Sequence, residues 1–119
     1  MEHRHEQILD KVKSELPEDE LLCDLADLFK IFGDTTRAKI LYALLSSELC
    51  VSAISELLKM TQSAISHQLK ILKDANLVSS TRAGKTMMYR LSDDHVKNIV
   101  AQGFEHLIER RAEETREKQ

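Results

Sequence analysis

Apolar residues recur at helical spacing through most of the chain, and the breaks between them mark the elements. Ile8, Leu9, Val12 and Leu16 make a short amphipathic stripe that stops before Pro17. Pro17 and the acidic residues Glu18, Asp19 and Glu20 suit the first turn of a second helix. Leu21, Leu22, Leu25, Leu28, Phe29 and Phe32 predict its buried face, and Gly33 ends it. Asp34 is placed to cap a third helix with core positions Ile40, Leu41, Leu44 and Leu45. A short helix follows over 51–59, carrying Ile54, Leu57 and Leu58. After a tight connection at Lys59 and Met60, Thr61 is an N-cap for a helix over 62–75. Its apolar positions are Ala64, Ile65, Leu69 and Leu72, and Asn76 suits the left-handed residue that closes it.

Beyond Asn76 the period changes from helical to alternating. Residues 77–82 and 86–91 read as two strands around Ala83, Gly84 and Lys85, a hairpin. Ser92 is the expected cap of a last helix, whose end from 110 to 119 reads as a frayed charged tail. Helix, tight turn, helix and basic hairpin in that order describe a mainly α fold with a small β-hairpin wing, a winged helix-turn-helix. Its parts are an N-terminal helix or arm (1–16), the helix-turn-helix (50–75), the wing (77–91) and a C-terminal helix (92–112) in a single domain over 1–119.

Charge sharpens this picture. The chain of 119 residues has a formal net charge of −3, yet residues 61–90 hold five cations and one anion. A basic face on an acidic body suits a polyanionic partner. In the winged fold the helix over 62–75 enters the DNA major groove by its N-terminal end. Gln62, Ser63, Ser66 and His67 offer short donors and acceptors there for base edges or phosphates. Lys70, Lys73, Arg82 and Lys85 offer cations for phosphates. An ordinary helical hairpin with a solvated polar face has the same periodicity.

The last helix carries a second kind of chemistry. Asp93 and His95 begin it, and His106 and Glu109 follow. At about 100° per residue, the eleven steps between the histidines return to within roughly 20° of one face. Those steps also advance about 16 Å along the axis, whereas each ligand atom on one zinc ion lies about 2 Å from it. One helix therefore cannot bring both histidines to one metal, but two antiparallel copies related by a two-fold axis can. The pattern predicts a homodimer with two intersubunit sites. Ile99 and Gln102 complete the seam of 95, 99, 102, 106 and 109, beside an apolar stripe of Val96, Val100, Gly103 and Leu107. Asp94 competes with Asp93 on spacing alone. Two imidazoles and two carboxylates suit Zn(II) and Co(II) better than Cu(I), Cd(II) or Pb(II), and Ni(II) is an alternative at higher coordination number.

Several segments together resemble a known family. GDTTR at 33–37, ELCV at 48–51, QSAISHQLK at 62–70 and GKTMMYRL at 84–91 look like the ArsR/SmtB family of metal-sensing repressors. The resemblance covers roughly residues 20–110. It implies a winged-helix homodimer that binds double-stranded operator DNA at an inverted repeat without metal and leaves it when metal binds. It further implies Asp93, His95, His106 and Glu109 as ligands in the zinc-sensing branch, with Asp93 preferred to Asp94, and control of metal-efflux or resistance genes. In some relatives the cysteine of the ELCV segment joins a second metal site. Here the positions two and three residues after Cys50 are Ser52 and Ala53, which are poor ligands, so only His3 or His5 is left to assist. Cys23, among leucines, reads as core packing.

Enzymatic function is not expected. Four protein ligands leave a zinc ion no open position. No nucleophilic triad or glycine-rich phosphate loop occurs, and the chain has three glycines. Two cysteines make no disulfide scaffold, and neither a signal peptide nor a membrane span is legible, so the expectation is a cytoplasmic protein. The alternative function is a winged-helix regulator sensing another signal, such as Ni(II), Co(II) or thiol oxidation.

Overall fold

In the computed structural model, backbone is described for residues 2–118 and side chains from Arg4 onward. The chain forms two compact units, Met1–Lys30 and Ile31–Gln119. The first holds α1 (Glu2–Glu15), which ends before Pro17, and most of α2 (Asp19–Phe32), which ends with Ile31 and Phe32 in the second unit and opens with Asp19 and Glu20 in its first turn. Acidic side chains there offset the partial positive charge of the helix N-terminus.

The expected buried face of α2 is not buried in the single chain. No residue of α2 is buried, and Leu21, Leu25 and Phe29 stand exposed, as does Cys23. A helical stripe records a demand for burial without saying which surface meets it. The packing role expected of Cys23 is corrected with it.

The second unit holds the core. It comprises α3 (Thr35–Ser46), β1 (Leu49–Cys50), α4 (Val51–Leu58), α5 (Gln62–Asp74), β2 (Val78–Ala83), β3 (Thr86–Leu91) and α6 (Asp94–Glu117). Ile40, Leu41 and Leu44 of α3 meet Ile54, Ile65, Leu69 and Leu72 from the next two helices. Leu77, Val78 and Leu91 close this core from the sheet, with Val96 and Val100 from α6. Leu57, expected inside, is instead exposed on the outer side of α4.

The sheet is antiparallel in the order β1-β3-β2. β1 escapes the sequence because two residues give no alternation to read. It exists through pairing, Leu49 with Tyr89 and Cys50 with Met88. The hairpin is one residue tighter than expected: Ala83 pairs with Thr86, so only Gly84 and Lys85 make the turn. Gly84 has φ +66°, a conformation that costs glycine little. Leu77 precedes the strand and instead donates its N–H to the Leu72 carbonyl at 2.9 Å, while Asn76 takes φ 61°.

The cap of α6 is also corrected by one residue. Asp93 is the cap in place of Ser92: it is extended at φ −158°, and its Oδ1 accepts the Val96 N–H at 3.0 Å. Both side chains can cap, and the fit to the first turn decides which does. The segment from 110 onward, expected to fray, continues as helix to Glu117. Arg110 and Glu114 support it, 3.6 Å apart at helical i,i+4 spacing.

Candidate functional site

The exposed side of α5 is created by what its other side buries. Ile65, Leu69 and Leu72 face the core at steps of four and three, against α3, α4 and β2. That leaves Gln62, Ser63, Ser66, His67, Lys70 and Lys73 outward. Thr61 starts the helix, its Oγ1 accepting the Ala64 N–H at 3.1 Å. The preceding turn is held by Lys59 in the left-handed region at φ 57° and by the Met60 N–H donating to the Ser55 carbonyl at 3.1 Å. The Ser55 hydroxyl in turn donates to the Met60 carbonyl. Gln62 and Ser63 thus lie on the first turn, where backbone N–H groups have no intrahelical acceptor.

The cations do not have equal freedom. Lys73 Nζ donates to Ser80 Oγ at 2.7 Å, tying the end of α5 to β2. Lys70 Nζ stands 4.0 Å from Asp74 Oδ2, a solvent-exposed pair. Arg82 and Lys85 project from the hairpin, exposed, and among the described residues neither enters an ion pair. Arg90, which sequence reasoning did not select, donates to Thr81 Oγ1 across the two strands.

Gln68 was also not selected. It is half-buried on the flank of α5, and its Oε1 accepts from Arg37 Nη1 at 3.3 Å. Its position three residues after Ile65 and four before Leu72 puts it on the flank of the buried stripe. A partner 31 residues away leaves no local signal.

The second cluster is on α6. His95 Nδ1 stands 3.8 Å from Asp93 Oδ1, and the imidazole is 94% exposed. Capping fixes the carboxylate, because the Asp93 oxygen beside His95 also accepts the Val96 N–H. Asp94 turns to Lys97 instead, its Oδ1 4.0 Å from Nζ. His106 and Glu109 are exposed further along. At about 100° per residue, Val96 and Val100 lie roughly 100–140° around the axis from His95. The helix therefore spends one face on its own core and leaves the histidine face open, with Ile99 exposed at its centre. Phe104, on the side away from the histidines, is exposed, and its ring centroid lies 4.2 Å from that of Tyr42, also exposed.

Among the described residues of one chain, no three His, Cys, Asp or Glu side chains gather closely enough to hold an ion. Imidazole and carboxylate donors fit a divalent metal in chemistry, and Asp93 and His95 are the two of the four that lie close together. Cys50 is half-buried at the start of α4, His5 is exposed on α1, and the His3 side chain lies outside the described residues. No described helix is long and apolar enough to cross a membrane.

The chain has recognisable relatives. The sequence profile of the arsR family of bacterial regulatory proteins matches residues 34–80, from the cap of α3 into β2. A transcriptional repressor SmtB homolog of Synechocystis sp. is 38% identical over 85 residues, covering 71% of this chain and 64% of that protein. A cadmium resistance transcriptional regulatory protein CadC homolog of Staphylococcus aureus is 35% identical over 103 residues, 86% of this chain and 84% of that one. Among solved structures, the homodimeric winged helix-turn-helix DNA-binding domain of a possible ArsR-family regulator from Mycobacterium bovis superimposes with a TM-score of 0.68. It is 28% identical, and the match covers 87% of this chain and 94% of that one.

Proposed function

The chain belongs to the ArsR family of bacterial regulatory proteins, and from that premise we propose that it is a homodimeric, metal-responsive transcriptional repressor. It is a regulator and not an enzyme. Without metal it binds an inverted-repeat operator through α5 and the β2–β3 hairpin. It leaves that DNA when Zn(II), two ions per dimer, is held between the C-terminal helices, so that metal-efflux or resistance genes are expressed. Its SmtB-like relative is named a transcriptional repressor and its CadC-like relative a cadmium resistance regulator.

One observation carries the zinc reading above others. Asp93 and His95 already stand side by side at the head of α6, 3.8 Å apart, on a face that the protein core does not use. Asp93 and His95 of one copy with His106 and Glu109 of the other would make each ligand set. Asp93 is preferred to Asp94 because its carboxylate is the one beside His95, whereas Asp94 stands 4.0 Å from Lys97 in a solvent-exposed pair. Cadmium is thiophilic, and this set contains no thiol. Zinc held there by Asp93, His95, His106 and Glu109 would supply a cross-link between the two C-terminal helices and not a reactive centre.

The residues of the chain do the rest. Thr61 and the buried stripe of α5 present Ser63, Ser66 and His67 to base edges, while Arg82 and Lys85 meet phosphates. Two such heads, related by a two-fold axis, reach half-sites about one helical turn apart. Holding two copies of α6 in one geometry resets the separation of the heads away from that spacing. A ligand shifts an equilibrium only by its differential affinity for the two states, so the metal-bound dimer must fit operator less well. By linkage DNA weakens metal binding by the same factor, a coupling of about 1–3 kcal/mol.

The test is anisotropy of a labelled duplex from the gene's own promoter, titrated with zinc. Zinc should release the wild-type protein, whereas His106→Ala should bind the duplex equally well and stay bound. Tighter binding on adding zinc would reverse the sign of the switch. Exposed Cys23 supports the competing reading, a thiol-oxidation sensor. In that case Cys23→Ser removes the response to oxidant, and zinc has no effect on any variant.

A further inference from the structure

Arg37, the third residue of α3, binds three parts of the fold at once. Its backbone N–H donates to Asp34 Oδ2 at 3.0 Å, completing the helix cap. Its Nε donates to the Ile31 carbonyl at 3.0 Å, and its Nη1 to Gln68 Oε1 at 3.3 Å. All three bonds are partly buried. Ile31 lies in the last turn of α2, where carbonyls have no partner within the helix. Gln68 lies on α5 directly after His67. One guanidinium therefore joins the end of α2, the start of α3 and the middle of α5.

The apolar side of α5 cannot set the helix position to the same degree. Burial of Ile65, Leu69 and Leu72 holds α5 against the core, but hydrophobic attraction has no direction. A small rotation or slide about that stripe keeps most of its area buried. Hydrogen bonds are directional and weaken steeply when bent. A guanidinium carries five donors in a planar fork, so Nε and Nη1 can hold two acceptors in a fixed relation, which a lysine ammonium does not reproduce.

We propose that Arg37 is a positioning residue for DNA reading: through Gln68 it fixes the rotation of α5, and so the aim of Ser66 and His67, without touching DNA. This rests on the reading of α5 as the DNA-contacting helix.

The experiment compares Arg37→Met, Arg37→Lys, Gln68→Met and the Arg37→Met/Gln68→Met double variant. Binding to the promoter duplex and to a scrambled duplex is measured at several salt concentrations, with amide hydrogen exchange of the free protein alongside. Arg37→Met should weaken promoter binding about tenfold, the scale of a lost hydrogen bond to a charged group. It should leave scrambled-duplex binding and the salt slope unchanged, because no phosphate contact is lost. Arg37→Lys should bind as weakly despite its charge. The double variant should be no weaker than Arg37→Met alone, and α5 amides should exchange faster in each. A salt slope reduced by about one would make Arg37 a phosphate contact instead. Additive losses, full affinity in Arg37→Lys, or unchanged α5 exchange would equally overturn the proposal. If wild-type protein fails to bind the promoter at all, the reading of α5 falls, while exchange at α5 still decides whether Arg37 positions it.

Discussion

The Asp93 carboxylate accepts the Val96 N–H and stands 3.8 Å from His95, so it serves helix α6 and the proposed metal site together. Substitution can separate the two roles. Asparagine caps a helix about as well as aspartate, whereas alanine costs about 1 kcal/mol. Asp93→Asn should therefore unfold like wild type in metal-free denaturant titrations, and Asp93→Ala should be less stable by that amount. Both should lose high-affinity zinc binding by calorimetry. Wild-type zinc affinity in Asp93→Asn would remove Asp93 from the ligand set and point to Asp94. Single residues were legible where their chemistry acts locally. Asp34 and Thr61 were readable as caps because each bonds an N–H three residues on. The choice between Ser92 and Asp93 was not readable, since both can cap and lie one residue apart. Nor was the Arg37–Gln68 bond, whose partners meet only through the fold.

At the scale of elements, the reading helix and the hairpin should fail in different ways. Loss of the Thr61 cap leaves an N–H at the start of α5 without its partner. Thr61→Ala should cost about 1 kcal/mol of stability in urea unfolding, with promoter affinity falling because the first turn carries Gln62 and Ser63. Lys85 is different, being exposed at the tip of the β2–β3 turn. Lys85→Ala should leave stability unchanged, weaken binding to every duplex alike, and lower the slope of affinity against salt by about one. Ser66→Ala should act instead through sequence, narrowing the gap between promoter and scrambled DNA. Helices were readable from their stripes, and the wing from its alternation and its glycine. β1 was not, because its two residues are a strand only through the partner that Tyr89 and Met88 provide. The helical continuation to Glu117 was missed because the charged end reads as solvated tail, although i,i+4 pairs such as Arg110 and Glu114 support helix.

At the scale of the whole molecule, the apolar faces left open bear on how many copies act together. Leu21, Leu25 and Phe29 of α2 and Ile99, Leu107 and Ile108 of α6 are exposed in a single chain. The sequence marked α2 as a helix that must bury a face and could not reveal that its own chain leaves that face open. The same limit applies to the proposed ligands. Their angular agreement is visible in the sequence, and so is an axial separation of about 16 Å that one straight helix cannot close. Whether each proposed metal site draws its ligands from two copies is decided by counting zinc in a mixed dimer. One chain carries His95→Ala and the other His106→Ala, with distinct tags so that the heterodimer can be isolated. In an intersubunit arrangement both lesions fall in one site, and the other keeps all four ligands. The wild-type dimer should hold two high-affinity zinc ions, the heterodimer one, and either mutant homodimer none. A heterodimer with no high-affinity zinc would mean that each chain builds its own site, and one with two would mean that these histidines are not the ligands.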